Sequence, residues 1–143
     1  MNHSHSLRSI AAQAIATAAV LCACTSAPRG TYNSVSGREG GQVTTHTPNR
    51  DLENSLEMKN IVQVRKEGML VVQLELANRL DRALSFQWAV EWYDRSGLAI
   101  DYGPAHYRPE RLSGRQSTTI KLVAPSPEAE SWKLQVGSRD EVR

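Results

Sequence analysis

Cysteine is nearly missing from this chain of 143 residues: there are two, Cys22 and Cys24, both near the N-terminus. Everything beyond residue 24 therefore lacks a disulfide framework, a thiolate metal site and a Cys nucleophile. Histidine is scarce too. His3 and His5 lie in the first residues, while His46 and His106 stand far apart. Two isolated imidazoles do not make a metal site, and no metal or other cofactor is expected. A charge excess of one sign is also lacking. Seventeen Lys and Arg against 15 Asp and Glu give +2. Without residues 1–23, which hold Arg8 and no acid, the balance is 16 against 15, or +1. That bias is too weak to argue for nucleic acid as a partner. A nucleophile elbow and a phosphate-binding Gly-rich loop are both absent. Ser113, His106 and Asp101 supply a Ser–His–Asp set on paper, with no support from their spacing. Glu91 and Asp94 fall on a strand and its turn, where Asp94 suits side-chain capping better than acid–base work. No catalytic constellation emerges, and the chain is not expected to be an enzyme.

Long apolar runs are lacking as well, with one exception. Ile10 to Leu21 is almost wholly Ala, Ile, Val and Leu, preceded by His3, His5 and Arg8. A short positive region followed by a short apolar one reads as a secretory signal peptide. Leu21-Cys22-Ala23-Cys24 resembles a bacterial lipobox, which makes residues 1–23 the leader and Cys24 the acylated first mature residue. The competing cleavage site at Thr25-Ser26-Ala27 is disfavoured by Pro28. Several acyl chains anchor almost permanently, at ~0.8 kcal/mol per buried methylene. Thr25, where an Asp would favour inner-membrane retention in enteric bacteria, points to the outer membrane, with the protein facing the periplasm. Residues 24–55 are rich in Ser, Thr, Gly, Asn and Pro and read as a flexible tether.

Residues 56–143 change to period-two alternation. In the stretch from Leu84 to Tyr93, Leu84, Phe86, Trp88, Val90 and Trp92 share one face, and Ser85, Gln87, Ala89, Glu91 and Tyr93 the other. It holds the chain's only Phe and two of its three Trp, so it should centre the core. Asp94 to Gly97 closes it as a type I turn with glycine at the left-handed position. Leu56, Met58, Val62 and Val64 suggest an earlier strand facing one way, and Gly68 a hairpin. Leu70 to Leu76, Thr118 to Leu122 and Trp132 to Val136 alternate likewise, and Leu98 to Tyr102 suggests a short return strand. Short strands, frequent turns and no convincing helix predict an all-β, immunoglobulin-like antiparallel sandwich. Tyr102, His106, Tyr107, Arg108 and Arg111 gather on one loop and form a candidate binding surface, since Tyr and Arg dominate binding hot spots. Gln87, Glu91 and Tyr93 offer a second, flat polar face.

These residues carry a family resemblance. A lipobox precedes Val71-Val72-Gln73-Leu74-Glu75-Leu76-Ala77-Asn78, then Phe86-Gln87-Trp88, Glu91-Trp92-Tyr93-Asp94-Arg95-Ser96-Gly97 and Ala124-Pro125-Ser126-Pro127-Glu128-Ala129. Together they resemble the YcfL-like family of periplasmic lipoproteins, over roughly Glu57 to Ser138. The resemblance implies an immunoglobulin-like sandwich and a domain of unknown function. In some relatives the gene lies near that of a lipoprotein activator of peptidoglycan synthesis, which implies work in the cell wall. The expected function is an envelope-anchored protein-interaction module whose partners are the membrane, through Cys24, and another envelope protein. The alternative is a small-ligand binder or hydrolase using residues 102–111. A deep pocket lined by Asp101, His106 and Arg108 would favour that alternative; a flat sandwich end would favour the first. The core assignment gives a test: Trp88→Ala should cost ~3–5 kcal/mol, and a urea midpoint matching the wild type would place that ring outside the core.

Overall fold

The alternation from Leu84 onward is realised as a strand whose inner face is the centre of the core. Phe86, Trp88 and Trp92 are buried there, and the opposite face is mostly half-exposed. The computed structural model describes residues 32–100 and 105–139. The predicted leader, Cys24, Asp101 and Tyr102 lie outside the described residues. In chain order the elements are β1 (Asn33–Arg38), β2 (Thr44–His46), α1 (Arg50–Ser55), β3 (Leu56–Lys66), β4 (Met69–Asn78), β5 (Leu84–Tyr93), β6 (Arg108–Leu112), β7 (Ser117–Val123) and β8 (Ser131–Ser138). One sheet runs β2-β1-β8-β5-β6 and the other β3-β4-β7. All pairings are antiparallel. Leu70, Vals 72 and 136, Leu74, Leu76, Phe86, Trp132 and Leu134 fill the space between the two sheets, so the all-β sandwich is confirmed.

Residues 33–55 correct the tether expectation, because they belong to the sandwich. β1 lies along β8, with Val35 opposite Leu134 and fully buried. A Cβ at Gly37 would stand 2.6 Å from Gln63 Oε1 and 3.0 Å from the Trp132 indole Nε1, so the glycine leaves room for the hydrogen bond between those two side chains. Asn33 and Asn49 exchange two bonds: the Asn33 side-chain amide donates to the Asn49 carbonyl (2.9 Å), and the Asn49 N–H donates to Asn33 Oδ1 (2.8 Å). Asn49 also caps α1 by accepting from the Leu52 N–H at 3.0 Å. Backbone pairing and these amides order a stretch that contributes little apolar area.

Three further expectations change. Leu56 and Met58 face the core, but Val62 and Val64 are about half exposed, at 51% and 48%. The cause is a bulge between Lys59 and Val62, where Asn60 takes φ 52°. One extra residue reverses every later side chain. The return strand reduces, among the described residues, to a single bridge between Tyr93 and Ala99. Finally, Arg108 to Leu112 is strand rather than loop. Pro109 is tolerated because β6 is an edge strand, where a ladder N–H is dispensable. The turns behave as read. Asp94 Oδ1 accepts from the N–H groups of Ser96 and Leu98, both at 2.9 Å, and Gly97 takes φ 84°. Glu67 and Gly68, at φ 53° and 80°, close the β3–β4 hairpin.

Arg65 ties three connections together. Its guanidinium binds the Glu39 carboxylate beyond β1, and it donates to the carbonyls of Gly68 (2.7 Å), Pro127 (3.0 Å) and Ala129 (2.9 Å). The Arg65 hydrogen bond holds the Glu39 carboxyl below its ordinary value of 4.5, and Arg38 does the same for Glu130. Depressed carboxyl values contribute stability above the unfolded value and lose it as pH falls through the folded one. The melting temperature should therefore drop between about pH 5 and pH 3. Glu39→Gln should melt lower at neutral pH and show a shallower acid drop; an unchanged acid limb would remove Glu39 from that account.

Candidate functional site

Antiparallel pairing sets which side chains share the outer face of the five-stranded sheet. Gln87 stands opposite Gly137, Ala89 opposite Gln135, and Glu91 opposite Lys133. Two small residues, Ala89 and Gly137, leave a shallow bed there, and both are buried. Tyr32 fills it, lying over Gly137 so closely that a Cβ at that position would run into its ring. Tyr107 stacks on Tyr32 with ring centroids 5.1 Å apart and planes 26° from parallel. Its hydroxyl donates to Gln135 Oε1 at 2.9 Å. The Gln135 amide donates to Glu91 Oε2 at 3.0 Å, and the Tyr93 hydroxyl donates to the same oxygen at 2.8 Å. Gln87 completes the row by donating to the Tyr32 hydroxyl at 3.3 Å. Burial, then the Glu91 hydrogen bond, pushes the Tyr93 phenol up to about 12. Burial first, and Tyr32 second, raise that of Tyr107. These phenols stay neutral donors throughout the ordinary pH range. The result is a fixed aromatic and polar platform of half-buried side chains.

Of the five residues gathered on one predicted loop, Tyr102 lies outside the described residues and the other four are divided between two sides. Tyr107 joins the platform. Arg111, opposite Ser85, lies on the same outer side and is exposed. Arg108, opposite Trp88, belongs to the inner side, with its guanidinium 5.2 Å from the Trp88 ring centroid. His106 and Arg108 line a cleft of about 440 Å³ between β5 and β7. Gln87, Glu91 and Tyr93, read as a second surface, turn out to be continuous with Tyr107. Tyr32 and Gln135 were missed. Tyr32 sits in a segment with one aliphatic residue, Val35, between Gly30 and Gln42, which hides its period of two. The Ser113–His106 pairing does not form: they flank opposite ends of β6, which at ~3.3 Å per residue separates them by roughly 15 Å. Among the described residues no three His, Cys, Asp or Glu gather as metal ligands, and no helix is long and apolar enough to cross a membrane.

These features define an all-β sandwich with two surface features, a tyrosine platform and an edge cleft. The family model described as "Protein of unknown function (DUF1425)" matches residues 43–138, more than half of the chain. The chain belongs to that family. A DUF1425 family member from Shewanella sp. PV-4 is similar in structure at 17% identity and TM-score 0.51, over 57% of this chain and 75% of that one. Campylobacter jejuni cj0090 matches at 19% identity and TM-score 0.47, over 57% of this chain and 85% of that one. No curated protein matches the sequence.

The platform's bed can be probed directly. Gly137→Ala forces Tyr32 off the sheet and should destabilise by ~1–3 kcal/mol. In the double variant with Tyr32→Ala most of that cost should vanish, and additive losses in urea unfolding would mean that the two positions do not interact.

Proposed function

We propose that this protein is an outer-membrane lipoprotein, anchored through acylated Cys24 and facing the periplasm. Its sandwich acts as a non-catalytic recognition module for a protein of cell-envelope assembly. The observation that carries the recognition reading is the platform of Tyr32, Tyr107, Gln135, Glu91, Gln87 and Tyr93. Tyrosines whose rings are already fixed supply contact area at little further entropic cost, which is how they serve in binding surfaces. The anchor reading rests on the lipobox resemblance. Because β1 begins at Asn33, nine residue steps separate it from Cys24, a reach of at most about 30 Å at ~3.3–3.6 Å per residue. The recognition surface then works close to the membrane, and its partner is an envelope protein reaching the same layer.

The test is in-cell crosslinking of the full lipoprotein, with Tyr107→Ala and Tyr32→Ala in a parallel sample. One defined envelope protein should be captured by the wild type and lost in the double variant. Capture that survives in the double variant would move the contact elsewhere. No specific capture from folded, membrane-bound protein would sink the recognition reading. Separately, Cys24→Ser should abolish palmitate labelling and membrane fractionation, whereas Cys22→Ser should retain both. The reverse result would shift the lipidation site.

A further inference from the structure

The edge cleft is not used by that reading, and its chemistry is distinct. β6 covers β5 only from Leu84 to Trp88, so the inner face beyond Trp88 opens towards β7. Val90, Trp92, Leu122, Val123 and Pro125 give the cleft apolar walls. Its volume of about 440 Å³ lies within the ~300–1,000 Å³ usual for small-molecule sites. Arg108, Lys121 and His106 also line it, and none of the three has an acidic partner among the described residues. Glu91 is the acid of the lining, but its carboxylate is held on the outer face by Tyr93 and Gln135. Trp88 forms part of the wall, and it is 6% exposed with its indole Nε1–H buried and without an acceptor among the described residues. A buried donor left unpaired in a native core is costly, so such a group marks a place where an acceptor is wanted.

We propose that the cleft between β5 and β7 binds a small amphipathic anion: an apolar body against Val90, Trp92 and Val123, and a carboxylate or phosphate between Arg108 and Lys121. Arg108 is set for this role because its guanidinium already rests on the Trp88 face, leaving its N–H edge for an oxyanion. Such a ligand comes either from a soluble pool or from the headgroup side of a lipid, and the chemistry of recognition is the same for both.

The experiment uses the full chain, its tryptophans labelled with ¹⁵N, in nanodiscs of phosphatidylcholine, with empty discs as blank. The probes share one body and differ in head: 4-phenylbutyrate, 4-phenylbutyl phosphate, 4-phenylbutanol and 4-phenylbutylamine. The two anions should bind saturably, about tenfold or more tighter than the alcohol or the amine, as charge-assisted pairing requires. On binding, the Trp88 indole N–H resonance, assigned with Trp88→Phe, should shift. That of Trp132, bonded to Gln63 at 3.0 Å and outside the cleft lining, should stay. Arg108→Gln should weaken the anions about tenfold. Lys121→Glu, an exposed substitution with little risk to folding, should weaken them at least as much and narrow the gap to the amine. Adding phosphatidylglycerol to the discs distinguishes the sources: displacement of the probe identifies lipid, and no displacement identifies the soluble pool. Equal affinity for anion and alcohol, or anion binding unchanged by Lys121→Glu, would overturn the proposal. These outcomes are independent of the crosslinking result, because Tyr32 and Tyr107 do not line the cleft.

Discussion

The pairing of β5 with β8 is the constraint on which the rest of the structure depends. It sets Trp92 opposite Trp132, Val90 opposite Leu134 and Trp88 opposite Val136, which gathers all three tryptophans of the chain on one side. The same register sets Gln87 opposite Gly137 and Ala89 opposite Gln135 on the other side. A slip of β5 by one residue would carry Phe86, Trp88 and Trp92 into water and Gln87 and Glu91 into the core. The cost of burying amides without partners, together with the lost ring burial, makes that alternative inaccessible. One surface feature follows from this pairing, and the other from where β6 stops along β5. The bed for Tyr32 exists because the register brings a glycine beside an alanine. The cleft exists because β6 ends at Arg108 while β5 continues to Tyr93.

How much of this was legible in the sequence follows from where the apolar residues are. β4, β5, β7 and β8 have mostly aliphatic or aromatic side chains on their inward alternating positions, and their faces are as read. The hairpin at Gly68 and the turn after Tyr93 were legible because glycine at positive φ and an Asx side chain have local physical causes. β1 was not. Of its six residues only Val35 is a hydrophobe, and its place in the sheet comes from backbone pairing with β8 and from the Asn33–Asn49 amides. Those partners lie 16 residues or more away and leave no local trace. The bulge in β3 was hidden for a related reason. Val62 and Val64 suit a core-facing strand, and the Asn60 backbone overrides that preference by shifting the register.

The candidate site was half legible. Tyr107 was recognisable as an aromatic in a polar stretch, and Gln87, Glu91 and Tyr93 as the outward set of a strand. Their union could not be read, because it depends on β8 lying beside β5 and on Tyr32 arriving from β1. Treating Tyr107, Arg108 and Arg111 as one surface went wrong through the period of two. Adjacent residues in an extended segment point to opposite sides, so Arg108 left Tyr107 for the inner face.

The two surfaces place opposite demands on whatever meets them. On the platform every polar group named above already has an internal partner, so a binder gains little by offering hydrogen bonds and would have to break good ones to make its own. What remains on offer is ring area held rigid by stacking and by the sheet beneath, and that selects for flat, aromatic or aliphatic contact of the protein–protein kind. In the cleft the situation is reversed. Arg108 and Lys121 have no acidic partner among the described residues, so charge and charge-assisted hydrogen bonding are what a ligand can supply there. A surface with satisfied polar groups and a cavity with unsatisfied ones, on opposite sides of one strand, can therefore be occupied at the same time without competing for the same chemistry.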